Sequence, residues 1–424
     1  MGKNADTLPP HYRWNFYAFL VDYVFFGLAF TFFNPNSVLP AFVGQLTTSA
    51  PVIGLVGTVF RGGWLLPQLA AARVISQKPR RKPYILAGAS GRIMFGVIAL
   101  ALWAGLARNP TATLILFFTC LCLWAVADGV ASVAWFDMFA RAIPLRRRGR
   151  LMGLGQVISG LGGVGAGALV GLILNRYPFP DDYALLFTLA AALLVAAIPA
   201  LASIREPPPT NANPQADGQA KGSWLNILAT DPAFRRLMAC RVMVSMIDLA
   251  VPFYVGHAQE VLHLPVSIVG GFVVAQTVAG VVASTGLSLV CERWGPRYVV
   301  RIGSAAAAAG PLFAMVAHLA GGGWLAQAYP FVYVALGVLN SAWMMGFFNY
   351  LLEIAPDGMY PAYVGLGNTI MGALTLVPMA GGWLLEATSY TTLFGVTAAL
   401  VATGFMLTLG LKSPRRATSA EEQP

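Results

Sequence analysis

Apolar runs of about twenty residues, the length a helix needs to cross the hydrocarbon core of a bilayer, follow one another along almost the whole of this chain. Read against their polar breaks they form twelve segments, at about 14–34, 52–72, 84–107, 111–139, 150–174, 182–203, 233–256, 265–290, 298–320, 328–352, 362–386 and 390–411. Such a chain folds by satisfying its backbone within helices, because the hydrocarbon offers no other partner. The expected fold is an all-α membrane protein. Composition agrees: of 424 residues 57% are apolar and 10% charged, where a soluble domain carries about a quarter charged residues. Soluble enzymes, secreted disulfide scaffolds and nucleic-acid binders are excluded at this step. The polar stretch Met1–Pro10 leads into an apolar run longer than a signal-peptide core, so that run reads as a retained span.

Charge distribution sets the expected orientation. Of 27 Lys and Arg, 22 fall on one face, in the termini and in the segments carrying Arg73 to Lys82, Arg141 to Arg150, Arg205 to Arg236 and Arg293 to Arg301. Arg108 and Arg176 fall on the other face, and three lie inside spans. Positive loops are retained in the cytoplasm, so both termini are expected there, in the inner or plasma membrane, with anionic lipid headgroups as neighbours. The net charge of +10 is thereby explained by topology, without a nucleic-acid partner.

Residues 205–232 form the longest polar stretch, with Pro207-Pro208-Pro209 and an Asn/Gln/Ala/Gly-rich segment, and read as a flexible cytoplasmic linker. They divide a six-span half (1–204) from a second (233–412), followed by a tail (413–424). Asp231-Pro232 supplies an N-cap and a first-turn proline for span 7. The halves echo one another. Pro144 to Gly153-Leu154-Gly155-Gln156 is matched 212 residues later by Pro356 to Gly365-Leu366-Gly367-Asn368, and Pro51-Val52 with Gly57 by Pro265-Val266 with Gly271, 214 residues later. Duplicated six-helix units follow.

Twelve spans, a long middle loop and parallel halves resemble the major facilitator superfamily over essentially the whole chain. The loop Ser288 to Arg297, with Glu292, Arg293, Gly295 and Arg297, is similar to that family's G-x-x-x-D-R-x-G-R-R motif, with Ser for the first Gly, Glu for Asp and Pro for one Arg. Its counterpart between spans 2 and 3 keeps only basic character, with Gln77 and Lys78 where Asp-Arg would stand. A gate is therefore expected to draw also on Asp137, Arg141, Arg148 and Arg150 at the end of span 4. The resemblance implies two rocking halves, alternating access, a small-molecule substrate bound near the midplane and, as a rule, a monomer. It also implies that spans 1, 4, 7 and 10 face the pore.

Periodicity on those spans can be read independently. Span 4 aligns Trp124, Asp128, Ser132 and Trp135; span 7 aligns Arg241, Ser245, Asp248 and Pro252. Span 10 carries Tyr333, Gly337, Asn340, Trp343, Phe347 and Tyr350, and span 1 Asn15, Phe19, Asp22, Phe26 and Phe33. Six charges lie well inside spans: Asp22, Arg61, Arg92, Asp128, Arg241 and Asp248. Each costs ~2.5–3.5 kcal/mol at a helix centre, which pairing offsets. Asp22, among Phe19, Tyr23, Phe25 and Phe26, is the first candidate for loading and releasing a proton, with Asp128 or Asp248 assisting. Arg92 is expected as the structural partner of a carboxylate. Arg241 and Asp248, about 10 Å apart along one face, either pair or act separately. Arg61 either holds an anionic substrate group or acts on Asp22. Arg61 and Arg241 are candidate contacts for a negative group, with Trp124, Trp135, Gln156, Asn340, Trp343 and Tyr350 as further substrate contacts.

An aromatic cavity with few neutral hydrogen-bonding groups suits an amphipathic organic molecule better than a sugar. The resulting expectation is a secondary active transporter, proton-coupled and working as an efflux antiporter, with uptake by symport of an organic anion or other small solute as the alternative. No P-loop, metal-ligand spacing or catalytic grouping is found, so no cofactor and no enzyme activity are expected; a non-transporting receptor or a membrane-embedded enzyme are the remaining rivals. Span 5 lacks the Gly-Pro pair common in drug-antiporter relatives, and its Gly160, Gly163, Gly167 and Gly171 read as a packing ridge. His257, His263 and His318 are expected at solvated helix ends, and the four cysteines as inert core thiols.

Overall fold

A computed structural model describes residues 9–76, 78–206, 223–321, 323–356 and 359–412. Gln77, most of the expected linker (207–222) and the tail (413–424) lie outside them. Among the described residues twelve helices are long and apolar enough to cross a membrane: α1 (Tyr12–Phe32), α2 (Ala50–Ile75), α3 (Lys82–Trp103), α4 (Pro110–Ala142), α5 (Arg147–Arg176), α6 (Asp181–Ser203), α7 (Pro232–Glu260), α8 (Ile268–Trp294), α9 (Pro296–Leu319), α10 (Trp324–Ile354), α11 (Ala362–Ala387) and α12 (Tyr390–Leu409). Among the described residues there is no strand. Local signals set several ends. The Asn109 side chain accepts from the Ala112 amide to start α4. Asp231 accepts from the amides of Ala233 and Phe234 at 2.8 and 3.0 Å to start α7, satisfying donors that a helix start leaves free.

The chain divides into two units, residues 1–47 with 58–212, and residues 48–57 with 213–424. Within the first, α1 packs along α5 and α6, and α3 along α4 and α6. Within the second, α7 packs along α11 and α12, and α9 along α10 and α12. The same pairing six helices on is the tertiary counterpart of the repeat in the sequence.

Several spans are not regular throughout. In α7 the helix gives way to 3₁₀ turns at Met246–Leu249 and Val251–Phe253. Pro252 accounts for this, since it has no amide to donate to residue 248 and its ring crowds that carbonyl. In α3 a 3₁₀ turn spans Ser90–Ile93, and α10 carries a π-helical turn at Trp343–Phe348. These irregular turns hold Asp248, Arg92 and Trp343. Side-chain to backbone bonds close the first unit at its basic end. Asn15 donates to the Arg205 carbonyl and accepts from the Arg205 amide, both at 2.9 Å, and Trp14 donates to the Ser203 carbonyl. Asn15, read from the sequence as part of a pore-facing stripe, is thus fully buried against the end of α6.

Candidate functional site

All six helices of the first unit contribute to a cavity of about 400 Å³, within the size range of small-molecule sites. Its wall is mostly aromatic, with Tyr23, Phe26 and Phe30 from α1, Phe60 and Trp64 from α2, and Trp124, Trp135 and Phe136 from α4. Three charges enter it: Asp22, Arg92 and Asp128.

Asp22 and Arg92 form an ion pair. Arg92 Nη1 donates to Asp22 Oδ1 at 2.9 Å, and Trp135 Nε1 donates to Asp22 Oδ2 at 3.0 Å. Both charged side chains are at least nine-tenths buried. The Arg92 guanidinium lies over the Phe26 ring, 5.5 Å from its centroid, and also meets the Leu194 carbonyl at 3.4 Å. Trp135 is held for its bond by stacking on Phe139 at 5.1 Å and by the edge of Phe19 at 5.2 Å. A buried pair of this kind offsets its desolvation only when the remaining donors and acceptors find partners; both Asp22 oxygens do, whereas Arg92 Nε is buried with no hydrogen-bond partner among the described residues.

Asp128 is placed differently. Its Oδ2 accepts from Trp64 Nε1 at 3.1 Å, it is only part-buried, and no Lys or Arg among the described residues lies within ion-pair distance of it. Close helix packing delivers both contacts. A Cβ on Gly129 would stand 2.4 Å from the Trp64 carbonyl, so glycine beside Asp128 is what admits the Trp64 turn of α2. Likewise a Cβ on Gly91 would stand 2.6 Å from that of Ala127, and its absence seats the Arg92 turn against α4. Trp124 packs among Phe33, Phe60 and Phe95 at 5.2–5.4 Å, yet its buried Nε1 has no hydrogen-bond partner among the described residues. Gln156 accepts from the Tyr23 hydroxyl at 3.1 Å and so orients a wall residue from behind.

The other candidates are distributed elsewhere. Arg61 is exposed and does not line this cavity. Arg241, Asp248, Asn340, Trp343 and Tyr350 belong to the second unit. There Arg241 lies over Trp343, 5.6 Å from its ring centroid; Asp248 is buried, Asn340 exposed. Tyr350 is buried and donates to the Lys412 carbonyl beyond α12 at 2.9 Å, which commits its hydroxyl to holding a helix end.

At the basic end of the first unit Asp137 and Arg141 meet two residues that reading the sequence did not single out. Arg81 pairs with Asp137 at 2.6 Å, and Arg141 bridges Asp137 at 3.1 Å and Glu206 at 3.3 Å. Glu206 also accepts from the amides of Arg81 and Lys82, at the start of α3, where free amides favour an anion. The available signal was Glu206 itself, an acid in a segment otherwise read as linker. Arg148 turns back to the carbonyls of Ile143 and Ala140, closing the end of α4, and Arg150 is exposed. In the second unit Glu292 and Arg293 are exposed, Gly295 joins α8 to α9 at φ 89°, and Arg297 reaches the Tyr298 hydroxyl.

The histidines correct an expectation. His257 is fully buried, with Nδ1 2.9 Å from the Tyr329 hydroxyl and Nε2 3.1 Å from His318 Nδ1. The rings of Tyr390 and Phe394 pack on it at 5.0 Å. It lies about one turn inside the end of α7 at Glu260 and is covered by α9, α10 and α12, neighbours that hydropathy does not reveal; His263 is exposed. Of the cysteines Cys120 and Cys240 are buried, whereas Cys122 is exposed.

The family model of the Major Facilitator Superfamily matches residues 22–377. The chain belongs to that superfamily, and is a transporter rather than an enzyme. Its fold is similar to the crystal structure of a bacterial homologue of the iron transporter ferroportin in an inward-facing state, with a TM-score of 0.72 at 13% identity over 94% of this chain and 98% of that one. It is also similar to a POT family transporter in complex with 5-aminolevulinic acid (TM-score 0.68, 12% identity, 92% and 94% covered) and to a D-xylose-proton symporter (0.65, 14%, 94% and 98%). No curated protein matches it in sequence.

Proposed function

We propose that this transporter moves a small amphipathic organic molecule across the inner or plasma membrane by alternating access, in exchange for protons and in the direction of efflux. The observation that carries this reading is the cavity in which a buried Asp22–Arg92 pair and a second carboxylate, Asp128, stand among aromatic walls. A proton on Asp22 discharges the carboxylate and leaves Arg92 buried without its counter-ion. Because an uncompensated buried charge is expensive, protonation changes which arrangement of α1, α3 and α4 is stable, and a transporter needs that dependence. Aromatic faces with few neutral polar groups bind an apolar body and leave orientation to the charged residues. Arg61 and Arg241, outside this cavity, then serve along the path or in packing rather than as its anion contacts. The charge cluster of Asp137, Arg141, Arg81 and Glu206 is read as a gate element at the cytoplasmic end.

The test uses proteoliposomes with a pH dye inside and cationic, anionic and neutral amphiphiles added outside. Protein-dependent alkalinisation of the lumen is expected with one class, and Asp22→Asn abolishes it while leaving a monodisperse protein. Acidification would mean that substrate enters with protons, which replaces exchange by symport. An Asp22→Asn protein that still couples would remove Asp22 from the mechanism.

A further inference from the structure

The cavity's own polar groups narrow what it takes. Its three charges sum to one negative: Arg92 is committed to Asp22 at 2.9 Å, whereas Asp128 accepts from the neutral indole N–H of Trp64 and faces the cavity part-exposed. Trp124 stands one turn before Asp128, at i and i+4, so the two share a helix face about 6 Å apart along the axis. Trp124 is 2% exposed, lines the cavity, and its Nε1 donor has no partner among the described residues. A donor left so is costly, and a ligand acceptor would satisfy it. Phe26, Phe30, Phe60 and Trp64 add ring faces, which attract cations. An anion entering here meets Asp128 with no uncommitted cation in the wall; a sugar meets rings.

We propose that the site binds an organic monocation, an ammonium group carried on an aromatic or branched apolar body together with a hydrogen-bond acceptor a few bonds away. Asp128 is its counter-ion and Trp124 Nε1 the donor to its acceptor. This rests on the cavity being the transport site proposed above.

Calorimetric titration of the full-length protein in phosphatidylcholine nanodiscs, with empty nanodiscs subtracted, tests it with three matched benzoate esters. Benzoylcholine carries a trimethylammonium group, 3,3-dimethylbutyl benzoate the neutral tert-butyl equivalent, and 2-sulfoethyl benzoate a sulfonate. Benzoylcholine is expected to bind at least tenfold more tightly than the neutral ester, and the sulfonate not to bind. Asp128→Asn brings benzoylcholine down to the neutral ester, whereas Asp128→Glu keeps the preference and guards against a folding defect in the first variant. Trp124→Phe, which keeps the ring and deletes the N–H, weakens both the cation and the neutral ester three- to tenfold without changing their ratio. A charge preference that survives Asp128→Asn overturns the proposal. Sulfonate binding as tight as that of benzoylcholine, and sensitive to Trp124→Phe, overturns the cation class but leaves the cavity as the site. Absence of saturable binding by all three esters overturns both.

Discussion

Asp22 and Arg92 show how much of a residue's role depends on its partner. Each alone is a costly charge in an apolar helix; together, with Trp135 completing the second carboxylate oxygen, they form a buried pair in which both carboxylate oxygens are bonded. Removing one partner of such a pair typically costs about 3–5 kcal/mol, whereas replacing both is far less harmful. Arg92→Gln is therefore expected to lower the thermal midpoint in detergent substantially, and Asp22→Asn combined with Arg92→Gln to recover much of the loss. Equal destabilisation by the single and double variants would show that the pair is not coupled. The same reasoning separates Trp135 from Trp124. Trp135→Phe loses a bond to a charged acceptor, ordinarily about 1.5–3 kcal/mol, and is expected to be the less stable of the two indole-to-phenyl variants by thermal unfolding.

Between helices, small residues decide which side chains can meet. Gly129 lets the Trp64 turn of α2 approach α4, and without that approach the indole does not reach Asp128. Gly129→Val places atoms where the Trp64 carbonyl stands, and overpacking of this kind costs about 1–3 kcal/mol. Gly149, with nothing near its absent Cβ, is the control: Gly149→Ala is expected to leave the thermal midpoint unchanged. Equal effects would show that the α2–α4 approach is not what Gly129 supplies. At the basic end, Glu206 ties the start of α3 to Arg141 on α4. Glu206→Gln keeps the size but drops the charge, and is expected to destabilise the protein measurably, by about 1 kcal/mol, with the loss shrinking at high salt because the cluster is partly exposed.

Across the whole molecule the distribution of Lys and Arg makes a prediction independent of any site. If the loops read from the sequence alternate across the membrane, 22 such residues share one face and two the other, and a fluorescent-protein fusion at the C-terminus is expected to fluoresce in the cytoplasm. Alkaline phosphatase fused after Arg108 or Arg176 is expected to be active outside it. An active phosphatase at the C-terminus would invert the topology and the gate assignment with it. The repeated helix pairing, α1 with α5 and α6 as α7 with α11 and α12, extends the similarity of the two units from sequence to packing. Their chemistry has diverged nonetheless. The first unit gathers two carboxylates and three indoles around one cavity, while the second buries His257 against Tyr329 and the part-buried His318.

The number of helices, their bounds to within a few residues and the all-α class were legible in the sequence, because hydrocarbon punishes an unsatisfied backbone and so forces length and apolar content into each span. The Asp231 cap and the duplication were legible too, being local or periodic. Which charges meet was not. Asp22 and Arg92 are 70 positions apart, Trp135 and Asp22 113, and Trp64 and Asp128 64, and nothing in a helical period states which faces touch. Tertiary packing alone decided that Trp135 serves Asp22 and Trp64 serves Asp128. It decided as well that Asn15 and Tyr350, polar residues on candidate pore stripes, bond to the ends of neighbouring helices, and that His257 is buried. Sequence patterns record what each helix must do with its own backbone and solvent; side-chain partnership is set by how helices pack, which depends on glycines and ring shapes far away in the chain.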